Sequence, residues 1–194
     1  MAVHGFRRSL SGRITLRTDE VERGILADLV GQLLEFVTPD EAWAKDADPL
    51  AVLVGIDPTA ERPDDPALHR LFPDAYADDD EAAAEFRRFT ERSLREVKMG
   101  HARTVVHCLG RSGDKLVISD VEAQAWLGTL NDLRLTLGSR LQIDEDNHDE
   151  FLSLSEDDPA STLYHVYDWL TFLQETLVRA LTGLASEPPP GAAL

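Results

Sequence analysis

Ser119 to Leu141 reads SDVEAQAWLGTLNDLRLTLGSRL, and the spacing of its apolar residues decides the fold. Ala123, Trp126, Leu127, Leu130, Leu133 and Leu137 recur at steps of three and four, which gathers them on one face of a helix. Ser119 is placed to cap the first turn, and Glu122, three residues on, completes a capping box. Asn131, Asp132 and Arg134 sit among these leucines, on a helix too apolar to be simply solvated. They read either as an internal polar network that holds helix register or, for Arg134, as a contact to an anion or partner.

The same periodicities extend outward from this helix. Residues 3–8 and 12–17 read as two strands with a turn near Ser11 and Gly12, because Ile14 and Leu16 alternate with Arg13, Thr15 and Arg17. Thr18 is expected to cap a helix over 19–37 with Leu26, Leu29, Val30, Leu33, Leu34 and Val37 facing inward, ended by Pro39. Residues 38–66 form a connection rich in proline and aspartate, interrupted by the apolar patch Leu50 to Val54. A short helix over 66–71 precedes Pro73. Asp80 begins a helix reaching about Met99, where Gly100 is expected to break it before a shorter segment from His101 to Leu109. Gly110 to Gly113 makes a turn, and Lys115 to Ile118 could add a third short strand. A last helix, about Pro159 to Leu184, should bury Leu163, Val166, Tyr167, Leu170, Leu173, Leu177 and Leu181. The expected fold is mainly α (α+β), one domain over 1–185: a helical bundle with a small N-terminal antiparallel β-hairpin. Residues 186–194 are expected to be a disordered tail.

Composition narrows the function. A chain of 194 residues with 43% hydrophobic content has enough apolar surface for a sizeable core. No apolar run approaches the length of a membrane span, and the start lacks an apolar signal core, so a cytoplasmic protein is expected. A single cysteine, Cys108, cannot form an internal disulfide framework. The formal charge of −17 repels nucleic acid as a whole. Basic residues nevertheless cluster: Arg7, Arg8, Arg13 and Arg17 lie near the start with no acid among them, and residues 86–115 are predominantly basic. Basic islands on an acidic chain fit protein recognition better than broad phosphate binding.

Several residues are candidates for function. Arg88, Arg92 and Arg95 share one helical face, with Phe86, Phe89, Leu94 and Val97 on the other, and Lys98 and Arg103 extend the basic stripe. With Arg7 and Arg8, these residues could dock an acidic partner surface. The bland alternative is a solvated face with local pairs such as Arg88 to Glu91 and Arg92 to Glu96. Cys108 is the redox candidate, with His107, Arg103 and Arg111 nearby, but Val105, Val106 and Leu109 make an inert core cysteine the favoured reading. Tyr164, His165, Tyr167, Asp168 and Trp169 read as core and rim. The acidic run from Asp144 to Glu150 lacks the glycine and spacing of a calcium loop, and His101, His107 and Cys108 lack a fourth zinc ligand, so no metal or cofactor is expected. No nucleophile elbow, phosphate loop, dinucleotide fingerprint or zincin motif occurs, and an enzyme is not expected.

Three segments resemble the actinobacterial domain-of-unknown-function family that includes the oxidative-stress regulator AosR. They are RLFPDAYADDDEAAAEFRRFTERSLREVK from Arg70 to Lys98, WLGTLNDLRLTLGSRL from Trp126 to Leu141, and YHVYDWLTFLQETLV from Tyr164 to Val178. With the short basic strand pair at the start, they span nearly the whole chain. The resemblance implies a cytosolic regulator of oxidative-stress transcription with a sigma factor as partner, and control of cysteine synthesis. It implies no catalytic mechanism. It also invokes a pair of nearby cysteines forming an internal disulfide, and here Cys108 stands alone. Cys108 is therefore left to pair between subunits, join a small thiol or stop at sulfenic acid.

The resulting expectation is a non-enzymatic regulator acting by protein–protein contact. The alternatives are a direct DNA-binding transcription factor using the same arginines, and a helical oligomeric scaffold, such as a homodimer, without a redox role.

Overall fold

The computed structural model describes residues 5–39, 60–144, 147, 151, 154, 155 and 158–183. The apolar patch Leu50 to Val54, the tail 186–194 and most of the acidic run after Asp144 lie outside the described residues. Within them, three strands, β1 (Phe6–Arg8), β2 (Ile14–Arg17) and β3 (Lys115–Ile118), accompany five helices. The helices are α1 (Glu20–Val37), α2 (Pro66–Leu71), α3 (Asp80–Leu109), α4 (Asp120–Leu141) and α5 (Pro159–Thr182). The fold is mainly helical with a small antiparallel sheet, and the third strand is present.

The sheet runs β1-β2-β3, with Phe6 opposite Leu16 and Ile14 opposite Ile118. Gly12, at φ 80°, makes the hairpin turn that a side chain would strain. Phe6, Ile14, Leu16, Leu116 and Ile118 are buried from this sheet, and Phe6 meets Trp126 of α4 edge-to-face at 5.3 Å. Gly5 lies so close to α5 that a β-carbon there would stand 2.7 Å from the Thr176 side chain. The Thr176 hydroxyl instead accepts the Phe6 N–H at 3.0 Å, which ties the hairpin to α5.

The α4 helix is the centre of the bundle, packing against α1, α2, α3 and α5. Its start follows the sequence: Ser119 caps it, and Glu122 closes a capping box, a device whose loss costs about 1 kcal/mol. Its burial is wider than one face. Ala125, Thr129 and Asp132 are buried beside Ala123, Trp126, Leu130 and Leu133, because neighbours enclose the helix on several sides.

Three local expectations are corrected. Asp19, not Thr18, caps α1, accepting the Glu22 N–H while Glu22 accepts the Asp19 N–H. Thr18 is still engaged with the sheet end, its N–H donating to the Asp114 carbonyl at 3.1 Å. Gly100 does not break α3, which runs without interruption from Asp80 to Leu109. An isolated glycine costs a helix about 1 kcal/mol relative to alanine, less than the packing gained on both sides of it by Met99, Ala102 and Val105. Leu163 is exposed, and Tyr164 is buried in its stead, stacked on Phe151 at 5.2 Å. Of the other expected residues, Leu170, Leu173 and Leu177 are fully buried, while Val166, Tyr167 and Leu181 are half-buried.

Candidate functional site

The inner face of α3 is charged. Arg87, Glu91, Arg95 and Lys98 follow one another at helical spacing and point toward the body of the protein. Arg87 is 5% exposed; it donates to Glu91 at 2.6 Å, to Asp74 at 2.7 Å and to the Phe72 carbonyl at 3.0 Å. These bonds hold the turn after α2, and the hydrogen bond from Arg87 keeps the Asp74 carboxyl below its ordinary pKa. Arg95 donates to Glu91 at 2.7 and 2.9 Å and to the Val37 carbonyl at the end of α1 at 2.8 Å. Its guanidinium also lies 4.4 Å from the centre of the buried Phe72 ring. Lys98 reaches Asp132 of α4 at 2.7 Å. One ion-pair ladder thus fastens α3 to α1, the α2 turn and α4.

The consequence lies on the opposite face. Phe86, Phe89, Leu94 and Val97 are 45%, 54%, 43% and 53% exposed, and Tyr76 joins them edge-to-face with Phe86 at 6.1 Å. A run of large apolar side chains therefore faces solvent on a rigid helix. The sequence reading places arginines on the outer stripe, but Arg95 and Lys98 are turned inward. Arg88 is exposed, and Arg92 pairs with Glu96 at 3.2 Å. The other anticipated pair, Arg88 with Glu91, gives way to Glu91 bonding Arg87 and Arg95. The missed signal was present in the sequence: Arg87, Glu91 and Arg95 alternate in sign at i, i+4, the spacing of helical ion pairs.

The remaining candidates are dispersed. Arg8 donates to the Ala180 and Leu181 carbonyls and so closes the end of α5, while Arg7 is exposed. Asn131 is half-buried and Asp132 buried. Arg134 crosses to α5, donating to Thr171 and Gln174, each at 2.8 Å. Cys108 is fully buried, and burial, reinforced by the Glu122 carboxylate, pushes its thiol pKa up. Arg111 and Glu122 form an ion pair between the end of α3 and the start of α4. Among the described residues, no group of three or more His, Cys, Asp or Glu could hold a metal ion, and no helix is long and apolar enough to cross a membrane.

The described residues thus form a small helical bundle with an internal ion-pair ladder and an apolar outer helix face. The family model described as Domain of unknown function (DUF2017) matches residues 3–181, and the chain belongs to that family. It is 36% identical over 174 residues to the AosR protein of Mycobacterium leprae, covering 82% of this chain and 78% of that one. The oxidative stress regulator AosR of Mycobacterium bovis is 32% identical over 176 residues, covering 84% and 79%, and that of Mycobacterium tuberculosis matches to the same extent. No solved structure matches the chain.

Proposed function

We propose that this chain is a non-enzymatic regulator of the oxidative-stress response that works by protein–protein contact, with a sigma factor as the first partner to test. The kinship with the AosR regulators supports the regulatory role. The observation that carries the contact reading is the outward row of Phe86, Phe89, Leu94 and Val97. Such a row, on a helix braced from behind, suits the apolar stripe of a partner helix, with Arg88 and Arg92 beside it for an acidic rim. Direct DNA binding draws less support, since Arg95 and Lys98 are committed to carboxylates and the chain carries a charge of −17.

The test is capture with the tagged chain and its Phe86→Asp/Phe89→Asp variant, from lysate and with purified sigma factor, at low and high salt. The expected result is sigma-factor capture by the wild type, little salt dependence, and loss in the variant. Equal capture by both chains would remove the docking face. DNA recovered with steep salt dependence, and no sigma factor, would replace the proposal with direct DNA binding.

A further inference from the structure

Arg134 is a cation held only by neutral groups. Its Nε donates to Thr171 Oγ1 at 2.8 Å, Nη1 to Gln174 Oε1 at 2.8 Å, and Nη2 to the Tyr167 hydroxyl at 3.4 Å. The Tyr167 ring lies beneath the guanidinium at 5.4 Å. No carboxylate among the described residues comes within ion-pair distance of it, whereas Arg87, Arg95, Lys98, Arg111 and Arg140 each reach one. A guanidinium carries five N–H groups. Three are engaged, and one remains on each terminal nitrogen, leaving two donors for the oxygens of a carboxylate or phosphate.

The surroundings of Arg134 form a cleft. Arg134 lines a cleft of about 890 Å³ between α2, α4 and α5, a volume suited to a small metabolite. Arg70 stands on the α2 side, exposed and without a carboxylate partner among the described residues. Ser139 and the Tyr167 hydroxyl add polar groups, and Pro73 and Leu135 add apolar wall. Asp144, the acidic residue of the lining, accepts the Asn147 N–H at 2.9 Å. On a chain of charge −17, anions do not accumulate generally, so a cleft carrying two cations is a local exception.

We propose that this cleft binds a small organic anion whose carboxylate or phosphate oxygens are taken by the Arg134 guanidinium, with Arg70 as the second cation. The site shares no residue with the docking face of α3 and stands or falls separately from it.

The test titrates the full chain with inorganic phosphate and, separately, with succinate at constant ionic strength. The readouts are the arginine Nε–Hε signals in ¹⁵N NMR and the thermal midpoint. The expected result is a saturating shift of one arginine signal with a rise in midpoint. Saturation by phosphate alone identifies a phosphate ester as the ligand class, and by succinate alone a carboxylate. Arg134→Gln should weaken binding by about 10- to 100-fold, the range for losing hydrogen bonds to a charged group. Arg70→Gln, an exposed change, should weaken it several-fold without touching the interior. If Arg134→Gln does not fold, the wild-type signals and Arg70→Gln decide, and unaltered binding in Arg70→Gln overturns the proposal. Failure of both probes to saturate in the wild type overturns it. So does a folded Arg134→Gln chain that binds as tightly as the wild type.

Discussion

Lys98 Nζ stands 2.7 Å from Asp132 Oδ1, joining the middle of α3 to the centre of α4 by a pair whose carboxylate is 5% exposed. Burial is the largest influence on Asp132 and pushes its pKa up, while Lys98 draws it down. Removing the cation leaves an uncompensated buried charge, so Lys98→Met should cost about 3–5 kcal/mol at neutral pH, read by urea unfolding. A group with a raised folded-state pKa contributes stability below its unfolded value and loses it as pH rises. The deficit of Lys98→Met should therefore shrink as pH falls and Asp132 takes up a proton. A Lys98→Met/Asp132→Leu double variant should recover most of the loss. A Lys98→Met chain as stable as the wild type would show that the pair does not hold the two helices.

Gly100 sits in the interior of an exposed helical surface, and a β-carbon there meets nothing within 4 Å. Gly100→Ala should stabilise the protein by about 0.5–1 kcal/mol through helix propensity and a less flexible unfolded chain. Thermal unfolding checks this, and a lowered midpoint would mean that the surface at Gly100 is covered.

Glu122 has its pKa lowered from 4.5 to about 2, first by the hydrogen bond from Arg111 and then by that from the Ser119 N–H. A depressed carboxyl pKa contributes stability above the unfolded value and loses it as pH falls through the folded one. The wild type should exceed Glu122→Gln by about 1 kcal/mol at neutral pH, a modest figure because the pair is partly exposed. The two unfolding curves should converge between pH 4.5 and about 2. Parallel curves down to the lower limit would assign the effect to the cap alone.

Cys108 is fully buried, with its thiol pKa raised. Labelling by a thiol reagent should be slow in the folded protein and fast in urea, with the native rate following the opening of the α3–α4 packing. Partner capture should also be the same for wild type and Cys108→Ser under reductant and mild oxidant. Complete labelling of the native thiol within mixing time would return Cys108 to the redox candidates.

Much of the fold was legible locally. Ser119 with Glu122, the turn at Gly12 and the alternation around Ile14 and Leu16 are short-range signals that need no knowledge of the rest of the chain. The misreadings share another cause. Thr18 and Asp19 are both competent caps; in the structure Thr18 is joined to the sheet end, and Asp19 closes the reciprocal box with Glu22. Gly100 carries a real local penalty, which packing by residues on either side outweighs. For Leu163 and Tyr164, the α5 periodicity tolerates either neighbour at the edge of the stripe, and stacking on Phe151 selects the tyrosine.

The candidate site divides along the same line. By itself the sequence determined that α3 is amphipathic, with charge along one side and Phe86, Phe89, Leu94 and Val97 along another. Periodicity carries no sign, and only the tertiary structure decided which side turns inward. The reason is that the partners of the charged side come from three distant segments: the Val37 carbonyl, the Phe72–Asp74 turn and Asp132. Once those acceptors converge, Arg87, Glu91, Arg95 and Lys98 find partners there that offset the cost of their desolvation, and the apolar side is left facing out.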